Sequence, residues 1–320
     1  MTKAEGRMAG RGRDLFEGRG DSVMNRREAI SHLAKEDFFK GGHPLCPGCT
    51  GGTFWRLIAK VMGKDSIACV GSTCVSLPIG LQPSAFCLPS ISVAMATPGP
   101  LLSGVSAGIR ALKRKGRIPR ERQITIFSVA GDGGTADIGM AGISGAAERN
   151  DDGIYFCFDN EAYMNTGIQR SSQTPAWGWT TTTLDGKPQA KKDMPRIMAA
   201  HGIPYVATAC ISFPEDLISK SLRAKEMMGG FRYIHTLGPC PTGWRFPEKD
   251  AIKVGRLAVD CGIWLLYEVV NGEFRITYKP RKRKPVREYF AAQGRFSHLT
   301  EEVIKRIQTE VDQKCSKYDF

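Results

Sequence analysis

Two short stretches put hard oxygen donors where strands should end. Gly131-Asp132-Gly133-Gly134 closes the apolar, β-branched run Gln123 to Ala130, and Asp159-Asn160-Glu161-Ala162 closes a second run, Ile154 to Phe158. A buried parallel strand that stops at glycines delivers the next residues into a crevice. Between the two stretches, Ile138 to Ala147 is rich in glycine and alanine, small enough to pack a helix closely on a sheet with its N-terminus facing the glycine turn. Free backbone N–H groups at such an N-terminus favour an anion. Mg2+ on a diphosphate needs few protein ligands, typically one or two carboxylate or amide oxygens with carbonyls and phosphate oxygens. Asp132, Asn160 and the carbonyl of Ala162 are donors of that kind, so the two stretches together predict a metal-diphosphate site. An ordinary nucleotide-binding glycine turn is the alternative, because a short glycine motif alone is weak.

The cysteines are a second, independent signal. Cys46-Pro47-Gly48-Cys49 has the spacing used for zinc, for iron-sulfur clusters and for redox dithiols, and by itself does not choose among them. A zinc ribbon calls for another pair of that spacing, and Cys69, Cys74, Cys87, Cys157, Cys210, Cys240, Cys261 and Cys315 supply none. A thioredoxin-like dithiol stays open, since a helix is expected to begin near Thr53. Cys157, Cys210 and Cys261 lie in apolar runs and read as small buried hydrophobes. Cys69 and Cys87 are less clear, Cys69 because it stands so near Cys74.

The run from Asp159 through Asn165-Thr166-Gly167 to Pro175 closely resembles the β subunit of pyruvate:ferredoxin oxidoreductase and related 2-oxoacid:acceptor oxidoreductases. The order Gly-Asp-Gly and then Asn is similarly how thiamine diphosphate enzymes hold their cofactor. The resemblance extends from Gly42 to about Leu299. It implies thiamine diphosphate bound by Gly131, Asp132, Gly133, Gly134, Asn160, Ala162, Thr166 and Gly167, with Mg2+ on Asp132, Asn160 and Ala162, and Asn165 contacting substrate. It also implies one 4Fe-4S cluster on Cys46, Cys49, Cys74 of Gly71-Ser72-Thr73-Cys74, a turn that favours Cys74 over Cys69, and Cys240 of Pro239-Cys240-Pro241-Thr242-Gly243-Trp244. Thiolates are soft donors matched to such a cluster.

The activity implied is oxidative decarboxylation of a 2-oxo acid, with the cofactor as electron sink, electrons leaving through the cluster and coenzyme A collecting the acyl group. In the family the glutamate that activates the aminopyrimidine belongs to another subunit. Partner subunits of the α, γ and δ type are therefore expected, with ferredoxin or another electron acceptor, and the isolated chain is expected not to turn over. Glu161 reads as an exposed or ion-paired structural residue rather than a general acid, and His43 and His235 as loop and strand histidines. The chain departs from pyruvate-type members between Cys74 and Ile109. Their aromatic-rich segment is replaced by the smaller or aliphatic Leu77 to Pro83 and Ser90 to Gly99. That departure puts a bulkier 2-oxo acid such as phenylglyoxylate beside pyruvate, with oxalate also open. Two other classes are weighed: a non-redox thiamine diphosphate decarboxylase or synthase, which has no use for four ligand cysteines, and a catalytically inactive electron-transfer subunit, which has no need to keep both Asp132 and Asn160.

The elements that must position these residues alternate. Strands Ser66 to Val70, Tyr205 to Thr208 and Arg232 to Leu237 join the two site strands. Helices are expected from about Thr53 to Met62, Leu101 to Leu112, Asp193 to Ala200 and Glu215 to Lys225. Such alternation predicts an α/β fold, a mostly parallel sheet with helices on both faces. The organisation expected is an N-terminal arm over 1–40, a thiamine diphosphate- and iron-sulfur-binding α/β domain over 41–245, and a C-terminal extension over 246–320. In the extension, Asn271-Gly272 between two apolar runs signals a hairpin, and Thr300 is placed to cap a last helix to Gln313.

Composition agrees with globular material: of 320 residues, 42% are hydrophobic and 24% charged. No apolar run reaches the ~18 residues needed to cross a bilayer, and no signal-peptide core is seen, so no membrane span and a cytoplasmic location are expected. The net charge of +13 is dispersed, densest at Arg110 to Arg122 and Lys279 to Arg287. Without aromatic residues interleaved on one face this is not a nucleic-acid pattern; it suits acidic protein partners.

Overall fold

The computed structural model describes residues 30–31, 33–318 and 320, so most of the arm expected over 1–40 lies outside the described residues. The strands are β1 (Ser66–Gly71), β2 (Ser90–Val93), β3 (Thr125–Gly131), β4 (Gly153–Asp159), β5 (Tyr205–Cys210), β6 (Phe231–Leu237), β7 (Tyr267–Val270) and β8 (Glu273–Ile276). They form one eight-stranded sheet in the order β2-β1-β3-β4-β6-β5-β7-β8. The strands from β2 to β5 run parallel, and β7 and β8 add antiparallel at the edge.

Every residue of β4 and of β6 is buried, as expected of strands covered on both faces. Their side chains alternate between two cores. On one face Ile154, Phe156 and Phe158 meet Phe54, Trp55 and Ile58 of helix Thr50–Met62, with Leu217 and Leu222 of helix Pro214–Glu226. On the other, Tyr155 and Cys157 meet residues of helices Pro98–Arg114, Met140–Glu148 and Met194–Ala200. Each large side chain so buried contributes about 1.5–3 kcal/mol.

The C-terminal residues are part of the same body. Asn271 and Gly272, both with positive φ, turn β7 into β8, and helices Ala251–Asp260, Val286–Ala291 and Glu301–Lys317 build a third core around Trp244, Leu237 and Cys210. Thr300 caps the last helix, accepting from the Val303 N–H, and the helix runs a turn past Gln313 to Lys317. No helix among the described residues is long and apolar enough to cross a membrane.

Two departures from the expected pattern bear on the site. The helix after β3 does not start at Ile138; a single π-helical turn, Gly134–Ile138, precedes helix Met140–Glu148. Asp137 in that turn accepts at Oδ2 from the Tyr163 hydroxyl at 3.1 Å and the Ser172 N–H at 3.1 Å. Widened turns of this kind are common at functional sites. The second departure is the segment Leu77 to Gly99. It forms the short helix Leu77–Gly80 and edge strand β2, and sends Ile79, Phe86 and Leu88 into the core. It supplies only Met95 to the crevice beside Asp132.

Candidate functional site

From β2 the chain crosses over β1 to form β3, so the loops leaving the C-terminal ends of β1 and β3 diverge and open a crevice, the usual ligand position in such sheets. Thr73, Asp132, Asn160 and Tyr163 line it, with Met95 closing one side. Asp132 is 2% exposed and accepts a hydrogen bond from the Ser171 hydroxyl. Burial pushes its carboxyl well above the usual range, the nearby Asp159 adds to this, and Ser171 opposes it.

One terminal atom of the Asn160 amide lies 3.1 Å from Asp132 Oδ1 and 3.0 Å from the Ala162 carbonyl oxygen. With its nitrogen turned there, the amide donates to both. With its oxygen turned there, that oxygen stands from each of the other two at close to the edge length of an octahedron around an ion ligated at about 2.0–2.1 Å, the Mg2+ geometry. The donor set and spacing therefore fit that ion, and the cation would offset the penalty on the buried carboxylate.

Of the other expected cofactor contacts, Asn165, Thr166 and Gly167 sit at the exposed rim, Gly167 with φ +118. The loop bearing them is closed by Tyr163 N–H donating to the Gln169 carbonyl at 2.9 Å. Gly133 is required sterically: a Cβ there would run into the Tyr163 ring. Gly133→Ala is expected to cost about 1–3 kcal/mol by overpacking, read as a lower denaturant midpoint with unchanged slope.

The four expected cluster cysteines come from three loops. Cys46 and Cys49 precede helix Thr50–Met62, Cys74 opens a 3-10 turn after β1, and Cys240 opens the turn Pro241–Trp244 after β6. Trp55 Nε1 donates to the Val75 carbonyl at 2.6 Å and Thr50 Oγ1 to the Pro239 carbonyl at 3.1 Å, tying the loops together. Burial pushes Cys74 up to about 12, with Cys240, Cys49 and Cys46 each adding. Cys240 is likewise pushed up to about 11 by burial, against the Gly243 N–H and with help from Cys49 and Cys46. All four thus lie within electrostatic reach of one another. Among the described residues no three His, Cys, Asp or Glu side chains converge on one ion-sized point.

The other cysteines separate cleanly. Cys69 is fully buried in β1, and Cys157, Cys210 and Cys261 are fully buried as expected. Cys315 packs in the C-terminal core, and Cys87 is exposed ahead of β2.

Behind the crevice lies a buried ion network that no spacing motif announced. Lys191 Nζ reaches Asp159 at 2.6 Å and Glu161 at 2.7 Å, Arg295 pairs with Glu161 at 2.6 Å, and His235 Nε2 meets Asp159 at 2.8 Å. Burial works against the Lys191 ammonium, but Asp159 and Glu161 raise its pKa. Asp159, although burial opposes it, is drawn below the usual carboxylate range by Lys191 and His235. Of the two structural roles expected for Glu161, exposed or ion-paired, the structure shows the ion pair, with the residue 4% exposed. His235 is a buried strand histidine, also bonded to the Tyr233 hydroxyl at 2.7 Å, and His43 stacks on Phe39. Lys187 is a further unannounced residue: its ammonium donates to the carbonyls of Ser172, Thr174 and Ala190, folding the loop that presents Ser171.

Comparison with known proteins bears on this geometry. Residues 70–236 match the family described as thiamine pyrophosphate enzyme, C-terminal TPP binding domain. Pyruvate synthase subunit PorB of Methanocaldococcus jannaschii is 48% identical over 292 residues, 89% of this chain and 98% of that protein. Ketoisovalerate oxidoreductase subunit VorB of Pyrococcus horikoshii is 42% identical over 282 residues, 86% of this chain and 89% of that protein. Among solved structures, a 2-oxoglutarate:ferredoxin oxidoreductase from Magnetococcus marinus, at 18% identity, shares the fold with a TM-score of 0.53 over 71% of this chain and 80% of that one. The chain belongs to the thiamine diphosphate-binding β subunits of the 2-oxoacid:ferredoxin oxidoreductases.

Proposed function

We infer that this chain is the subunit in which a 2-oxo acid, with pyruvate the foremost candidate, is oxidatively decarboxylated and its electrons are passed to a 4Fe-4S cluster. The observation that carries this reading is the convergence of Asp132 Oδ1, the Asn160 amide and the Ala162 carbonyl in a crevice tied directly to a thiol-bearing turn. When bound, thiamine diphosphate supplies the electron sink for decarboxylation. Asp132, Asn160 and Ala162 would hold its diphosphate through Mg2+, with backbone N–H groups of the glycine turn facing the phosphates. Asn165, at the exposed rim, would contact substrate, and Thr166 and Gly167 the cofactor. Cys46, Cys49, Cys74 and Cys240 would ligate the cluster, and coenzyme A would take the acyl group.

Pyruvate comes first because pyruvate synthase subunits are among the relatives, at 47% to 48% identity. The Leu77 to Gly99 segment, which suggested a larger pocket, brings only Met95 to the crevice. The rim at Asn165 to Gly167 is open where an α-type subunit carrying the aminopyrimidine-activating glutamate would close the site. The complex would be cytoplasmic, with γ- and δ-type subunits and ferredoxin as acceptor.

The test is anaerobic viologen reduction by the isolated chain and by the assembled complex, with pyruvate, 2-oxoisovalerate, oxalate and phenylglyoxylate in parallel. Turnover is expected from the complex only, and highest with pyruvate. A hydrophobic pocket separates acids differing by one methylene by only about 1–3 kcal/mol, so slower turnover of the branched acid is also expected. Turnover by the isolated chain would overturn the shared-site reading. A preference for phenylglyoxylate would overturn pyruvate as substrate and point back to an enlarged pocket.

A further inference from the structure

Arg295 is distant in sequence from every site motif, yet its 2% exposed side chain sits at the junction of two site loops. The guanidinium lies 3.8 Å from the centre of the Trp244 ring and 2.6 Å from Glu161 Oε2. It is held there by donating to Gln293 Oε1 at 2.9 Å and to the Tyr289 hydroxyl at 3.0 Å. Both of its main partners belong to the site. Trp244 closes the Cys240 turn, its N–H donating to the Cys240 carbonyl at 2.9 Å, and its indole N–H donates to the Asn160 carbonyl at 2.8 Å. Glu161 stands between Asn160 and Ala162 in the left-handed conformation, φ +69, and Lys191 holds its other oxygen at 2.7 Å.

One buried cation therefore bridges the turn that carries a thiol and the loop that carries the oxygen donors. A cation–π contact in a desolvated setting is worth about 2 kcal/mol, and breaking a buried ion pair from one side costs about 3–5 kcal/mol. These contacts are strong enough to hold two loops in one arrangement. Arg295 also acts electrostatically on Cys240, whose thiol is pushed up mainly by burial and drawn down by this guanidinium.

We propose that Arg295 and Glu161 are paired positioning residues: they hold the Cys240 turn against the Asn160 to Ala162 loop, and their opposite charges set the reduction potential of the group on the thiolates. This rests on the reading of Cys46, Cys49, Cys74 and Cys240 as cluster ligands. Taking up one electron adds negative charge to a group that is already anionic. The guanidinium therefore favours the reduced state and the Glu161 carboxylate the oxidised state, with little screening by solvent at this depth.

The experiment is an anaerobic redox titration of the assembled complex, reduced stepwise with dithionite and followed by the electron paramagnetic resonance of the reduced cluster. The signal belonging to this subunit is the one that disappears in Cys240→Ser. Arg295→Gln is expected to move its midpoint to a more negative potential, Glu161→Gln to a more positive one, and the double variant close to wild type. Arg295→Lys, which keeps the charge, is expected to stay near wild type. If Arg295→Gln does not assemble, the Glu161→Gln and Arg295→Lys arms still decide. A midpoint unmoved by Glu161→Gln, or moved in the same direction by both neutral variants, would overturn the proposal. Wild-type complex with no signal sensitive to Cys240→Ser would instead overturn the cluster reading beneath it.

Discussion

Asp132→Ala is expected to strip thiamine diphosphate and Mg2+ from the assembled complex. The carboxylate is 2% exposed and carries the one full negative charge among the three converging oxygens. A buried charge left without its partner costs about 3–5 kcal/mol, which weakens retention about a hundredfold or more. Asn160→Ala removes a neutral donor and is expected to weaken retention less. Ser171→Ala, which removes the hydroxyl that bonds Asp132, should cost about 10–100-fold, as loss of a ligand's orienting partner usually does. The readouts are bound cofactor by thiochrome fluorescence and bound metal by elemental analysis.

A denaturation control separates loss of binding from loss of fold. Burial raises the Asp132 pKa in the folded protein, so above the unfolded-state pKa of about 3.9 its ionised form opposes folding when no cation is bound. Cofactor-free Asp132→Ala at neutral pH is therefore expected to be at least as stable as cofactor-free wild type. Unchanged cofactor content in this variant would refute the role assigned to Asp132.

Cys240→Ser is expected to lower iron content and bleach the broad visible absorbance of anaerobically purified complex. Cys46→Ser, Cys49→Ser and Cys74→Ser should do the same, because a cubane that loses one of four thiolates is exposed at that corner. The informative controls are Cys69→Ala and Cys157→Ala. Cys69 lies close to Cys74 in sequence but belongs to β1 rather than to the turn after it, and both control side chains are fully buried in the sheet. They should keep their iron while losing the stability expected of a core truncation. Full iron retention after Cys240→Ser would refute the ligand assignment.

The local features of this chain are legible in the residues themselves. Parallel strands covered on both faces must be apolar throughout, so β3 and β4 stand out with the glycine and Asp-Asn ends that deliver Asp132 and Asn160. The Asn271-Gly272 hairpin and the Thr300 cap follow from backbone preferences confined to a few residues. The cysteine spacing narrowed the chemistry without choosing a metal.

What only the tertiary structure decided depends on contacts between residues far apart in the chain. The sheet order brings the loops after β1, β3 and β4 into one crevice, and no short-range signal encodes which parallel strand lies beside which. Lys191 and Arg295 look in sequence like two more members of a dispersed basic surface. Long cationic side chains normally stay in water, and only the partners Asp159, Glu161 and Trp244, brought to them by the fold, make their burial favourable. The Leu77 to Gly99 segment shows the same limit from the other side. Its composition does not say which of its side chains meet the crevice: Ile79, Phe86 and Leu88 enter the core and Met95 reaches the crevice, because whether an aliphatic side chain lines a cavity or fills a core is set by what the fold places opposite it.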